Sequence, residues 1–175
     1  ILAATAPAQD YLYLVGNREI GDVDVRKADV KEVIYKKANK NERLAAWEVD
    51  FIQYADTPAS FVLAYEAFLN DAQNSPELFR KCLDDRRELR KYRWLEYTAN
   101  YYEGVAFSNI RRRKESIEKL QGFVDTPQFQ DNIYYPQALR RLVNLYWGSS
   151  ATKEQALEVA QRIVAEAEAD KIPLK

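Results

Sequence analysis

Residues 89–108 read LRKYRWLEYTANYYEGVAFS. Apolar residues recur in this stretch three or four positions apart, which is the spacing of one face of an α-helix. The members of this stripe are Leu89, Tyr92, Leu95, Ala99, Tyr102 and Ala106. The pattern therefore predicts one amphipathic helix over the whole of 89–108.

The same periodicity continues on both sides of this helix, from Thr57 to the C-terminal region. It predicts six helices, over 59–70, 76–84, 89–108, 113–124, 136–148 and 153–169. Phe79, Ile117 and Leu157 occupy equivalent places in the second, fourth and sixth helices, 38 and 40 residues apart. A period near 40 residues with two helices per unit is typical of a helical repeat array.

Two segments of this array resemble tetratricopeptide (TPR) repeat units. In residues 100–124, Gly104 and Ser116 stand at the small positions of that motif, and Phe107 and Leu120 at the large ones. In residues 139–163 the corresponding residues are Leu139, Leu142, Val143, Tyr146, Ala156 and Ala160. The resemblance implies about three TPR-like helix pairs over residues 56–175.

Residues 10–55 have the period of two that is typical of β-strands. The clearest case is residues 45–51, where Ala45, Trp47, Val49 and Phe51 alternate with smaller or acidic residues. We expect four strands in an antiparallel meander, with a polar turn at 38–42. Because one sheet of this size cannot bury its apolar face alone, it must either close into a small barrel or pack on the helices.

These patterns together predict an α+β fold, with a small antiparallel β-sheet or barrel-like N-terminal module followed by a TPR-like array of α-helical hairpins. Residues 1–9 precede both parts, and Ala6-Pro7-Ala8 has the A-x-A form of a signal-peptidase site. This predicts a signal-peptide remnant, and hence export to the periplasm or beyond; the alternative is a flexible N-terminus on a cytoplasmic protein. The overall plan is similar to that of exported bacterial scaffold proteins.

The composition excludes several kinds of catalytic and metal site. The 175 residues include one Cys and no His, which excludes Ser-His-Asp and Cys-His relays, HExxH metal sites and internal disulfides. We expect Cys82 to be a buried structural thiol, and Asp84 and Asp85 to lie on a solvated helix face. We therefore predict no catalytic residue, metal or cofactor, although an enzyme working through carboxylates and tyrosines remains a third hypothesis.

The TPR resemblance implies a partner-binding groove along the first helix of each pair. Its residues would be Thr98, Tyr101, Val105, Ser108, Asn109, Gln137, Arg140, Asn144 and Trp147. Tyr and Arg are enriched in interface hot spots, and Arg140 can bind a carboxylate with two hydrogen bonds. The leading hypothesis is a non-enzymatic scaffold that binds a protein or peptide partner, or a second copy of itself. The alternative for the groove is that the β module or a neighbouring repeat fills it.

The small β-barrel and two Arg-rich helix segments suggest a nucleic-acid-binding module as the alternative function. Residues 86–93 contain Arg86, Arg87, Arg90, Lys91 and Arg93 beside aromatic residues, and residues 111–114 read RRRK. Cations interleaved with aromatics are typical of phosphate and single-strand binding sites. However, acidic residues lie within both runs, and 26 Lys and Arg balance 27 Asp and Glu overall. Nucleic acid is therefore the less favoured partner.

Overall fold

A computed structural model describes residues 9–16 and 18–173. It confirms the α+β class, with an antiparallel sheet followed by helices. The predicted signal-peptide segment lies outside the described residues, apart from Gln9. The strands are β1 (Asp10–Leu14), β2 (Arg18–Ala28), β3 (Glu32–Lys37), β4 (Lys40–Ala45) and β5 (Val49–Gln53). Their spatial order is β4-β3-β2-β1-β5, so β4 and β5 form the two edges of an open sheet.

The described sheet has five strands, so the expectation of four was wrong. The polar segment 38–42 is mostly strand, because the chain reverses within Ala38 and Asn39, which both have left-handed backbones. The predicted strand over 45–51 is interrupted by a single 3-10 turn, Ala46–Glu48. In that turn the Glu48 carboxylate accepts a hydrogen bond from the Ala45 amide at 2.9 Å. This local bond ends β4 and starts β5 as a separate strand.

The described chain contains seven α-helices. They are α1 (Ala59–Leu69), α2 (Ser75–Asp84), α3 (Arg86–Lys91), α4 (Arg93–Asn109), α5 (Arg113–Asp125), α6 (Tyr135–Trp147) and α7 (Lys153–Glu168). The single helix expected over 89–108 is divided at Tyr92, whose backbone is extended. The short helix α3 starts where the Asp85 carboxylate accepts hydrogen bonds from the amides of Arg87 and Glu88, at 3.0 and 3.1 Å. No helix in the described residues is long and apolar enough to cross a bilayer.

The longer helices pack on one another in chain order: α1 on α2, α2 on α4, α4 on α5, α5 on α6, and α6 on α7. At the α4–α5 contact, the Ser116 hydroxyl donates a hydrogen bond to the Gly104 carbonyl oxygen at 2.8 Å. A Cβ on Gly104 would lie only 2.9 Å from the Leu120 side chain. Gly104, Ser116 and Leu120 thus meet in one close helix crossing, which requires small residues at 104 and 116.

The sheet packs against the helices through β1 and β5. The ring of Phe51 stacks on Tyr65 with centroids 4.1 Å apart, and meets Tyr102 edge-on at 5.8 Å. Buried residues of the sheet and of the helices belong to one continuous core. Of the two alternatives for the β module, the structure therefore has the sheet packed on the helices, and its apolar face is covered by α1 and α4.

Candidate functional site

Three of the predicted groove residues are buried in the core. Tyr101 is only 2% exposed, and Thr98 and Val105 are equally buried. The Tyr101 hydroxyl donates to Gln137 Oε1 at 3.1 Å and accepts from Arg141 Nε at 3.0 Å. The Tyr101 ring also stacks on Tyr134 with centroids 4.7 Å apart, and Thr98, Tyr101 and Val105 are therefore core residues here.

Strand β5 is hydrogen-bonded to one side chain of α4 and one of α6. Gln137 Nε2 donates to the Val49 carbonyl oxygen at 3.0 Å, and the Tyr102 hydroxyl donates to the Asp50 carbonyl oxygen at 3.1 Å. Both acceptors lie on the edge strand of the sheet. The bond to Val49 thus places the predicted groove residue Gln137 against the β module.

The remaining predicted groove residues are more exposed to solvent, but they do not contact the same neighbouring residues. Asn109 is exposed at the end of α4 and donates to Asp71 Oδ1 at 3.1 Å, while Ser108 beside it is half-buried. Arg140 is half-buried on α6, whereas Asn144 and Trp147 are exposed near the end of that helix. Trp147, with 63% of its surface exposed, is the large apolar member of this group.

A second feature of the surface is its exposed aliphatic residues on the first and last helices. On α7, Ala156, Val159 and Ile163 face the core, whereas Leu157 and Val164 point outward with 57% and 51% of their surfaces exposed. On α1, Leu63 and Leu69 are also exposed. Leu157 and Val164 are seven residues apart and therefore lie on the same face of the helix. The sequence pattern singled out only Leu157 of the two.

A third feature is a cleft of about 550 Å³ between β2 and the α3–α4 junction, which we call the basic cleft. Its cations are Arg26 and Lys27 from β2, and Arg90, Lys91 and Arg93 from the junction; Asp56 is its one carboxylate among the described residues. Its aromatic wall includes Tyr54 and Trp94, which stack with centroids 4.8 Å apart. The fold thus adds two cations to part of the basic run at 86–93, while Arg86 and Arg87 lie outside the cleft lining.

The second basic run, residues 111–114, makes contacts that stabilise the packing of the helices. Arg112 forms ion pairs with Glu115 at 2.9 Å and Glu77 at 3.4 Å. Arg113 donates to the Leu145 carbonyl oxygen and, at 3.3 Å, to the Thr152 hydroxyl, joining the start of α5 to the α6–α7 connection. These contacts occupy the two central arginines of residues 111–114 in structural roles.

Reactive side chains are used structurally as well. Cys82 is buried, its thiol donates to the Leu78 carbonyl oxygen at 3.4 Å, and burial raises its pKa. Asp84 and Asp85 are exposed, and Asp85 begins α3. Within the part of the chain that is described, no group of three or more Cys, Asp and Glu residues is placed to hold a metal ion.

One carboxylate is fully buried. Glu103 on α4 is 0% exposed, and its Oε1 accepts from Arg80 Nε at 3.0 Å and Nη2 at 2.8 Å. Lys119 Nζ lies 3.1 Å from the other oxygen, close enough for an ion pair but outside hydrogen-bond geometry. Glu103 therefore joins α2, α4 and α5, and it replaces the large apolar residue that the TPR motif has at this position.

No family model, curated protein or solved structure matches this chain. The TPR resemblance therefore stays a prediction from the residues that carry it.

Proposed function

We propose that this chain is a non-enzymatic protein-interaction module, and that a protein partner packs on the outward face of α7. The observation that carries the proposal is the pair Leu157 and Val164, each more than half exposed on the same face of the last described helix. Trp147, near the end of the preceding helix, adds a third large apolar side chain to this end of the array.

The physical reason is the cost of leaving these side chains in water. Burying a Leu or Val side chain contributes about 1.5–3 kcal/mol relative to leaving it exposed. The outward face of α7 is part aliphatic at Leu157 and Val164, and exposed apolar surface of this kind marks sites where another protein packs.

The placement of the reactive groups supports a binding role over a catalytic one. The thiol of Cys82 lies in the core with a raised pKa, and the carboxylate of Glu103 is held between Arg80 and Lys119. The titratable groups that act in catalysis lie together in a cleft where a substrate can reach them. Here they stabilise helix contacts.

The test compares two substitutions of exposed aliphatic residues. Val164→Glu places a charge on the proposed interface, whereas Leu63→Glu places the same charge at an exposed aliphatic position on α1. Wild type and both variants, each checked for helix content, are used to capture proteins from extracts of the source organism. We expect a defined protein to be lost with Val164→Glu and kept with Leu63→Glu.

A second copy of the chain is one form that the partner can take. Sedimentation of the purified chain and both variants detects it, since Val164→Glu would then lower the mass of the assembly and Leu63→Glu would not. A monomeric wild type, together with identical capture by all three proteins, would contradict the proposed function.

A further inference from the structure

We propose that the basic cleft binds a carboxylate-rich segment of a protein. The cleft lies between β2 and the α3–α4 junction, and it does not include the α7 face, so this binding site is separate from the interface proposed above. Its ligand is identified by charge complementarity, since five cationic side chains meet there with one carboxylate among the described lining residues.

Three of these cations lack a counter-ion. Arg26 is paired with Asp24 at 2.5 Å, and Lys27 with Asp29 at 2.5 Å. By contrast, no carboxylate of the described residues lies within 4.0 Å of the charged nitrogens of Arg90, Lys91 or Arg93. All three are exposed and lie close in sequence around the Tyr92 break, where Arg90 also donates to the Arg86 carbonyl oxygen at 3.2 Å and Lys91 to the Tyr92 hydroxyl.

Arg93 lies in the first turn of α4, where the helix dipole disfavours a cation and favours an anion, and Glu96 is the acidic residue of that turn. The N-cap residue of α4 is Tyr92, whose side chain does not accept a hydrogen bond from the first turn. A carboxylate beside Arg93 would therefore be stabilised both by the guanidinium group and by the helix terminus.

The aromatic wall favours a peptide carboxylate over a nucleic acid. Single-stranded nucleic acids gain affinity by stacking bases on free aromatic faces. In the basic cleft, Trp94 already stacks on Tyr54 at 4.8 Å and meets Phe61 edge-on at 5.6 Å. Glu and Asp side chains need no such face, because an arginine binds a carboxylate through two parallel hydrogen bonds.

The test measures binding of a fluorescein-labelled peptide of alternating Glu and Ser, with a Gln and Ser peptide as the neutral probe. The triple variant Arg90→Gln/Lys91→Gln/Arg93→Gln removes the unpaired charges. Its matched control, Lys81→Gln/Arg111→Gln/Lys114→Gln, removes the same charge from exposed positions outside the cleft. We expect the acidic peptide to bind the wild type and the control alike, to bind the cleft variant at least tenfold more weakly, and to dissociate as salt rises.

A second readout does not depend on the triple variant. In the double variant Trp47→Phe/Trp147→Phe, Trp94 is the sole tryptophan, and we expect the acidic peptide to shift its emission. Absence of acidic-peptide binding, or equal weakening by both triple variants, would overturn the proposal. Oligothymidylate that binds the cleft more tightly than the acidic peptide would also overturn it in favour of a nucleic acid.

Failure of this proposal is distinguishable from failure of the proposed function. The cleft variant leaves α7 unchanged, so we expect it to retain every capture that depends on Val164. Conversely, Val164→Glu leaves the basic cleft unchanged, and we expect it to bind the acidic peptide with wild-type affinity.

Discussion

Gln137 on α6 donates a hydrogen bond from Nε2 to the Val49 carbonyl oxygen at 3.0 Å, and its Oε1 accepts one from the Tyr101 hydroxyl at 3.1 Å. One side chain thus joins α6 both to the edge strand β5 and to α4. An uncovered strand edge is open to pairing with strands of other chains. The helices cover this edge at β5, while the opposite edge, β4, is exposed and carries Lys40, Glu42 and Arg43.

We expect Gln137→Ala to lower the free energy of unfolding by about 1–3 kcal/mol, because two buried polar groups lose a partner. Asn144→Ala is the matched control, since Asn144 lies seven residues later on α6 and is exposed. Its expected change is within about 0.5 kcal/mol. Urea unfolding monitored by circular dichroism measures both, and equal changes would show that the bond to Val49 does not stabilise the fold.

The two glycines of the α4–α5 pair should respond in opposite directions to alanine. Gly104→Ala places a Cβ 2.9 Å from the Leu120 side chain, so we expect a loss of about 1–3 kcal/mol from overpacking. Gly122→Ala meets nothing within 4 Å on α5, so its better helix propensity should stabilise by up to about 1 kcal/mol. Thermal unfolding gives the sign of each change, and a stabilising Gly104→Ala would contradict the close crossing.

The buried ion pair between Arg80 and Glu103 predicts that substitutions of its two partners lower the free energy of unfolding by different amounts. Arg80→Met leaves the fully buried carboxylate of Glu103 with only Lys119, and we expect a cost of about 3 kcal/mol. Glu103→Gln leaves cations that are partly exposed and can be hydrated, so we expect about 1 kcal/mol. In the double variant Arg80→Met/Glu103→Gln, the Arg80→Met substitution should lower the free energy of unfolding by less than it does in the wild-type background. Urea unfolding of the three variants checks this, and equal single costs would contradict it.

The raised pKa of Tyr135 predicts that the protein loses stability at high pH. Burial, followed by the hydrogen bond to Glu166, raises the pKa of Tyr135 to about 12 from its ordinary value of 10.0. As the pH rises, the unfolded chain therefore releases the Tyr135 hydroxyl proton before the folded chain does. The stabilisation of the fold by protonated Tyr135 is fully present below about pH 10 and is lost as the pH rises to 12. At pH 11 this one group should account for about 1 kcal/mol.

Comparison of Tyr135→Phe with the wild type isolates this contribution from the lysines that titrate in the same range. We expect the variant to lose less stability between pH 9 and pH 11 in urea unfolding, and the absorbance titration of tyrosinate to lose one late step. Parallel pH dependence of the two proteins would contradict a raised pKa at Tyr135.

Local patterns in the sequence predict most elements of this fold but not how the elements meet. Five of the six expected helices lie where the periodicity places them, and Gly104, Ser116 and Leu120 come together as their sizes suggest. The end of α3 and start of α4 at Tyr92 cannot be predicted from the sequence pattern, because Tyr92 continues the apolar stripe and is itself buried. The 3-10 turn at 46–48 is likewise concealed by an alternating pattern that continues through it.

The candidate sites were harder to predict, because they depend on contacts between distant residues. The predicted groove residue Tyr101 is buried because Phe123 and Tyr134, more than 20 residues later in the sequence, pack on its ring. The basic cleft needs Arg26 and Lys27 beside Arg90 and Arg93, and no local pattern links those two segments. Spacing along the chain cannot show which face of a helix array the sheet will cover.

The proposed interface on α7 can be tested most directly by site-specific photo-crosslinking in the source organism. A photoreactive phenylalanine derivative replaces Leu157 on the outward face of α7 or, as the control, the exposed Glu118 of α5. The proposed function predicts a discrete crosslinked species of defined mass from position 157 and none of that mass from position 118. No adduct at position 157, or the same products from both positions, would contradict it.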